Sequence, residues 1–251
     1  MQITVIDALM GAGKTSWAIQ ELNNNPMENY LYITPFLAET DRIIEATSGR
    51  KHFIKPQNKG DGKLSSINLS LSNEDDIAAT HELFKHLNDE SREHISRSHY
   101  TLILDEVLEV ISPYDLKSGD FKLLLDGKWI SVDDEGFIVW NDEESAYDST
   151  FEEVRKLALA HSLVVVNGNI LLWRYSPEIF SMFDKVYILT YMFEASILKS
   201  YFDYNEIPYE KRSIRKTESG EYALCEYQPP DTSVFKPLIN IYHGQLNENF
   251  T

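Results

Sequence analysis

Cysteine is almost missing from this chain of 251 residues, in which Cys225 stands alone. One thiol excludes an intrachain disulfide framework and any cysteine-rich zinc lobe, and its neighbours place it on a partly buried strand. Long apolar runs are missing too. None approaches the roughly 18 residues that a membrane-crossing helix needs. The first strand begins almost directly after Met1, leaving no room for a signal peptide, so an intracellular, cytoplasmic protein without a membrane partner is expected. Basic charge is also short: 23 Lys and Arg stand against 40 Asp and Glu, a net charge of −17. Such a chain does not hold nucleic acid through its overall field, so any basic surface must be local. Residues 42–63 carry seven bases, His52 included, against two acids, whereas 131–153 carry nine acids and neither Lys nor Arg. The acidic run is read as a solvated face, with a partner-binding or decoy segment as the alternative.

Against a sparse background of 11 glycines, two lie close together near the start, in Ile3-Thr-Val-Ile-Asp7-Ala8-Leu-Met-Gly11-Ala12-Gly13-Lys14-Thr15-Ser16. The stretch reads as a buried strand feeding a phosphate-binding loop and then a helix. Gly11 and Gly13 let successive backbone N–H groups turn inward around an anion, and the helix dipole points its positive end at the same place. Ala8, Gly11, Ala12, Gly13, Lys14, Thr15 and Ser16 form the expected nucleotide-binding set. Lys14 is expected to reach the β- and γ-phosphates, and the Thr15 hydroxyl to be a Mg²⁺ ligand.

Apolar β-rich runs alternating with helical periods predict an α/β fold with a central, mainly parallel sheet. Core strands are expected at 2–6, 30–34, 100–104, 163–166 and 185–190, and helices near 15–23, 37–46, 77–96, 151–161, 176–182 and 193–204. Lys55 to Ser72 reads as a loop with one short strand. Residues 112–150 break the rhythm, and a β-hairpin is expected there across Gly136. A second hairpin, turning at Asn167-Gly168, competes with a plain core strand at 163–166. Pro237 to Gly244 reads as a further strand, so 1–235 is expected to be one domain with an insertion at about 112–150, and 236–251 the start of a linker or second domain.

A hydrolase of nucleotide triphosphates needs a carboxylate to hold Mg²⁺ and a group to orient or deprotonate the attacking water. Tyr100-Thr-Leu-Ile-Leu-Asp105-Glu106 offers both at the end of an apolar strand, the edge at which parallel sheets bind ligands. Asp105 is assigned to the metal and Glu106 to the water.

Ala8-x-x-Gly11-x-Gly13-Lys14-Thr15 followed by Asp105-Glu106-Val-Leu resembles motifs I and II of DExx-type superfamily 2 helicases of phage-like character. Ile33-Thr34-Pro35-Phe36 with Thr40-Asp41-Arg42 is similar to motif Ia, Thr80-His81 resembles a threonine-histidine segment of bacteriophage members, and Leu189-Thr190-Tyr191 sits where motif III would. The resemblance covers roughly residues 1–205. It implies a RecA-like P-loop NTPase domain using ATP and Mg²⁺. Lys14, Glu106 and Thr190 would be its catalytic group, Thr190 relaying the nucleotide state. Thr34, Pro35, Arg42 and His81 would be nucleic-acid contacts, with DNA the expected strand. The family's Gln-x-x-Gly-Arg-x-x-Arg pattern is not found, so a slow ATPase is expected whose arginine comes from a second motor lobe or a partner chain.

Other readings stand beside this one. A P-loop nucleoside kinase would use the same loop and carboxylates, and a nucleotide-gated regulatory module would bind without turnover. Trp129, Trp140 and Trp173 are read as hairpin core rather than base-stacking platforms. The basic run Lys211 to Lys216 is read as an edge strand protected by charge.

Overall fold

The computed structural model describes residues 1–58, 62–141, 150–168 and 170–240. The first half runs β1 (Gln2–Asp7), α1 (Lys14–Asn24), β2 (Tyr30–Thr34), α2 (Leu37–Thr47), β3 (Phe53–Ile54), α3 (Lys63–Ser72), β4 (Asp76–Thr80), α4 (His81–Lys85), α5 (Asp89–Arg97) and β5 (Thr101–Asp105). A middle stretch follows: β6 (Ile111–Pro113), α6 (Ser118–Asp126), β7 (Ile130–Val132), β8 (Ile138–Trp140), α7 (Glu152–Leu159), β9 (Leu163–Val166) and β10 (Ile170–Arg174). The chain then returns through β11 (Lys185–Thr190), α8 (Ile197–Tyr204), β12 (Glu210–Lys216) and β13 (Tyr222–Glu226). Among the described residues no helix is long and apolar enough to cross a membrane.

The fold is α/β around a large, mostly parallel sheet in the order β13-β12-β1-β11-β5-β2-β4-β3, with β13 alone antiparallel to its neighbour. Strands covered on both faces read as unbroken apolar runs, and every residue of β2 is buried. Trp17, Ala18 and Leu22 seat α1 against one face, while Val5, Ile33, Leu102 and Ile188 join the core on the other. Full burial of side chains this size is worth about 1.5–3 kcal/mol each. The sheet therefore forms a rigid platform whose carboxyl edge collects the ends of β1, β11, β5, β2 and β4.

Between β5 and β11 the middle stretch leaves this sheet. It forms a three-stranded antiparallel sheet, β6-β10-β9, and the hairpin β7-β8, a longer departure than 112–150. The hairpin turns at Gly136 (φ 89), where the Asp133 carboxylate accepts from the N–H groups of Glu135 and Phe137. The Val165 N–H donates to the Gly136 carbonyl at 2.7 Å, so the backbones of the two hairpins meet where a side chain would not fit. Trp140 and Trp173 are core, as expected, whereas Trp129 is about a third exposed.

Several expectations need correction. The hairpin expected at Asn167-Gly168 forms, both residues taking positive φ and returning the chain as β10, so the competing expectation of a plain core strand at 163–166 is the one that falls. The helix expected at 77–96 is instead β4, α4 and α5: Ile77, Ala78 and Ala79 are buried beside β2, the Thr80 hydroxyl caps α4, and Asn88 opens α5 with a capping box. Within the expected loop 55–72 lies α3, because Ile67 and Leu71, one turn apart, both reach the core. The helix at 176–182 shrinks to a 3₁₀ turn, Pro177–Ile179, and that at 193–204 is split where Ser196 caps α8. The run Lys211 to Lys216 lies inside β12, which is covered by β13 and so is not an edge. Cys225 lies on that outer strand and is partly buried. Of the strand expected at 237–244, Pro237 and Leu238 belong to a 3₁₀ turn, and 241–244 lie outside the described residues, as does 142–149 of the acidic run.

Candidate functional site

The loop after β1 has the backbone its glycines permit. Gly11 and Gly13 take φ 78 and 97, a region closed to most side chains. Among the described residues, the N–H groups of Gly13, Lys14, Thr15 and Ser16 make no backbone hydrogen bond. Successive free N–H donors at a helix start form a concave, electropositive site for an anion. Gly13 carries a second constraint, because a Cβ there would run into the ring of Tyr222 on β13. That ring is held by two bonds between Gln20 of α1 and the Tyr222 backbone.

Lys14 folds back over the loop, donating to the carbonyls of Ala8 at 2.7 Å and Leu9 at 3.1 Å. Burial lowers its pKa, while Glu106, Asp105 and Asp7 pull the other way. The Thr15 hydroxyl donates to Asp105 Oδ2 at 3.5 Å, and the Tyr32 phenol donates to the same oxygen at 2.6 Å. Burial raises the Asp105 pKa, with the Tyr32 bond opposing and the charges of Glu106 and Glu39 adding to the rise.

Glu106 follows Asp105 with φ 77, an uncommon backbone for a non-glycine residue. Its N–H donates to the Leu189 carbonyl at 3.0 Å, and its side chain is exposed at the carboxyl edge. Thr190 ends β11, the strand between the glycine-loop strand and the carboxylate strand; it is buried, and its carbonyl accepts from the Ala8 N–H at 3.1 Å. Asp7 ties the same region together by accepting from the N–H groups of Met192 and Phe193.

The remaining expected residues lie further along the edge. Thr34 ends β2 fully buried, with a hydroxyl that has no partner among the described residues, and half-buried Pro35 follows it. Arg42 projects from α2 and is paired with Glu39 at 3.0 Å. Lys51 is paired with Asp76 and Lys55 with Asp41, so much of the basic tract 42–63 is neutralised by the protein itself. His81 begins α4 and reaches back to the Asp105 backbone; burial takes its pKa down to about 4, and its buried Nε2 has no partner among the described residues. It therefore adjoins the carboxylate strand as a neutral imidazole.

Among the described residues no group of three His, Cys, Asp or Glu could hold a metal. The hydroxyl of Thr15 and the carboxylate of Asp105 supply two oxygen donors. That set suits Mg²⁺, which keeps several waters and takes one or two protein ligands beside substrate phosphates. Sequence reasoning missed Tyr32 and Tyr222. A signal for Tyr32 existed, since a tyrosine in a fully apolar run must find a partner for its hydroxyl.

Residues 111–173, from β6 into β10, match the family model described as the YonV middle domain. Over 98% of its length the chain is similar to the SPbeta prophage-derived uncharacterized protein YonV of Bacillus subtilis (strain 168), at 34% identity across 261 aligned residues. The chain spans 63% of that relative's length. A prophage-derived relative agrees with the phage-like character expected from the sequence.

Proposed function

We propose that this chain is a RecA-like P-loop domain of the DExx helicase type, which binds and hydrolyses ATP with Mg²⁺ and acts on nucleic acid, DNA being the expected strand. The observation that carries the reading is the convergence of Thr15 and Asp105, ninety residues apart, beside the free N–H groups of the glycine loop. In this reading the loop N–H groups and Lys14 hold the β- and γ-phosphates. Thr15 and Asp105 hold Mg²⁺, which supplies charge neutralisation on the transferring phosphoryl group. Glu106 orients a water for attack on the γ-phosphorus and accepts its proton as the bond to the β-phosphate oxygen breaks. Thr190, on the intervening strand, relays the nucleotide state. Arg42, exposed on α2, and Pro35 contact the nucleic-acid backbone, Thr34 lies buried behind them rather than at the surface, and His81 links that edge to the carboxylate strand. An arginine from a second lobe or a partner chain completes the site.

Phosphate release from Mg·ATP, measured with and without single-stranded DNA for the wild type and Glu106→Gln, tests this. DNA-stimulated release that Glu106→Gln abolishes is expected. Transfer of phosphate to a nucleoside instead would make the chain a kinase, and binding without turnover under every condition would make it a regulatory module.

A further inference from the structure

The strands β2 and β5 pair in parallel with Tyr32 opposite Ile103, two residues before Asp105. From that place the Tyr32 ring lies wholly in the core, and only its hydroxyl reaches the carboxyl edge, at 2.6 Å from Asp105 Oδ2. A phenylalanine would fill the same volume, so packing alone does not call for the oxygen. The Thr15 hydroxyl approaches the same Oδ2, and among the described residues Oδ1 accepts no hydrogen bond. Glu106 and Glu39 both add negative charge around this carboxylate, which would favour its turning away in the absence of a fixed donor.

We propose that Tyr32 is a positioning residue for the metal carboxylate, its hydroxyl locking Oδ2 of Asp105 so that Oδ1 is presented to Mg²⁺. This assignment rests on the proposed nucleotide site. It also gives β2 a direct mechanical link to the metal, since the same strand ends two residues later at Thr34. A charge-assisted hydrogen bond from a buried phenol fixes the carboxylate rotamer before the metal arrives, so the orientation need not be selected on binding.

The test is the affinity of a fluorescent ATP analogue in EDTA and in Mg²⁺ for the wild type, Tyr32→Phe, Asp105→Asn and the double variant. Tyr32→Phe is expected to leave the metal-free affinity within about twofold while cutting the Mg²⁺-dependent gain roughly tenfold, the size of one hydrogen bond to a charged group. In the Asp105→Asn background the same change is expected to add nothing. An equal Mg²⁺ gain in the wild type and Tyr32→Phe would overturn the assignment, as would an equal loss of affinity in EDTA and Mg²⁺. A wild-type chain with no affinity for the analogue would overturn the nucleotide site itself, which is a different failure.

Discussion

The Thr15 hydroxyl lies 3.5 Å from Asp105 Oδ2 although ninety residues separate the two along the chain. The strands that lead to them are not neighbours: β11, which ends at Thr190, runs between β1 and β5. A loop on one strand, an acid two strands away and a threonine between them make a compact device only because all three strands are parallel and finish at the same edge.

In the proposed mechanism Thr190, at the end of the intervening strand, relays the nucleotide state. Thr190→Ala should keep Mg·ATP affinity and basal phosphate release within about threefold, about 0.6 kcal/mol, while losing DNA stimulation. Stimulation that survives in the variant would remove Thr190 from the relay.

Gly13 and Gly11 differ in what surrounds them. Both have positive φ, but only Gly13 faces the Tyr222 ring, and Gly11 meets open space. Each change to alanine should cost about 1–2 kcal/mol for the left-handed backbone. Gly13→Ala should cost more because the ring must also move, and a lower Tm for Gly13→Ala than for Gly11→Ala checks this. Equal Tm values would mean that the ring yields freely.

Glu106 is exposed and its backbone is anchored to Leu189, so replacing its side chain should leave the fold alone. Glu106→Gln should lower turnover by roughly 10²–10⁴, the contribution typical of a general base. Nucleotide affinity by equilibrium titration should stay near that of the wild type. A variant that hydrolyses ATP at the wild-type rate would show that another group handles the water.

Glu21 gives a pH signature unrelated to the nucleotide. Burial, and then the charge of Glu28, push its pKa above the ordinary value of 4.5. A raised folded-state pKa on an acid means that the folded chain prefers the proton. The corresponding stability is present below the unfolded pKa and is lost as pH rises through the folded one. Glu21→Gln should therefore raise Tm at pH 7, and the difference should vanish towards pH 4. Gln keeps an acceptor for the Tyr30 hydroxyl, so a lower Tm at pH 7 would contradict the argument.

Much of the central sheet is legible in the sequence, because β1, β2, β5 and β11 are continuous apolar runs that only a doubly covered strand explains. Ala78 and Ala79 misled in the other direction: alanine favours helix locally, and pairing with β2 overrides it. Helix α3 is hidden by its four serines and Asn68, although Ile67 and Leu71 carry the helical spacing. The loop residues and the two acids could be named from type and order alone. Tyr32 and Tyr222 could not be attached to the site that way, since their partners lie 73 residues away in one case and on the opposite end of the chain in the other. Nor could the pairing of Arg42, Lys51 and Lys55 with nearby acids.

Calorimetric titration of the wild type and Lys14→Ala with ATPγS in Mg²⁺ decides whether the loop at Gly11 to Ser16 holds a nucleotide triphosphate. One nucleotide bound per wild-type chain is expected, with an affinity roughly 10–100-fold weaker in Lys14→Ala, the cost of losing hydrogen bonds from a charged group. No binding by the wild type at millimolar nucleotide, about −4 kcal/mol at the limit, would contradict it, as would equal binding by Lys14→Ala.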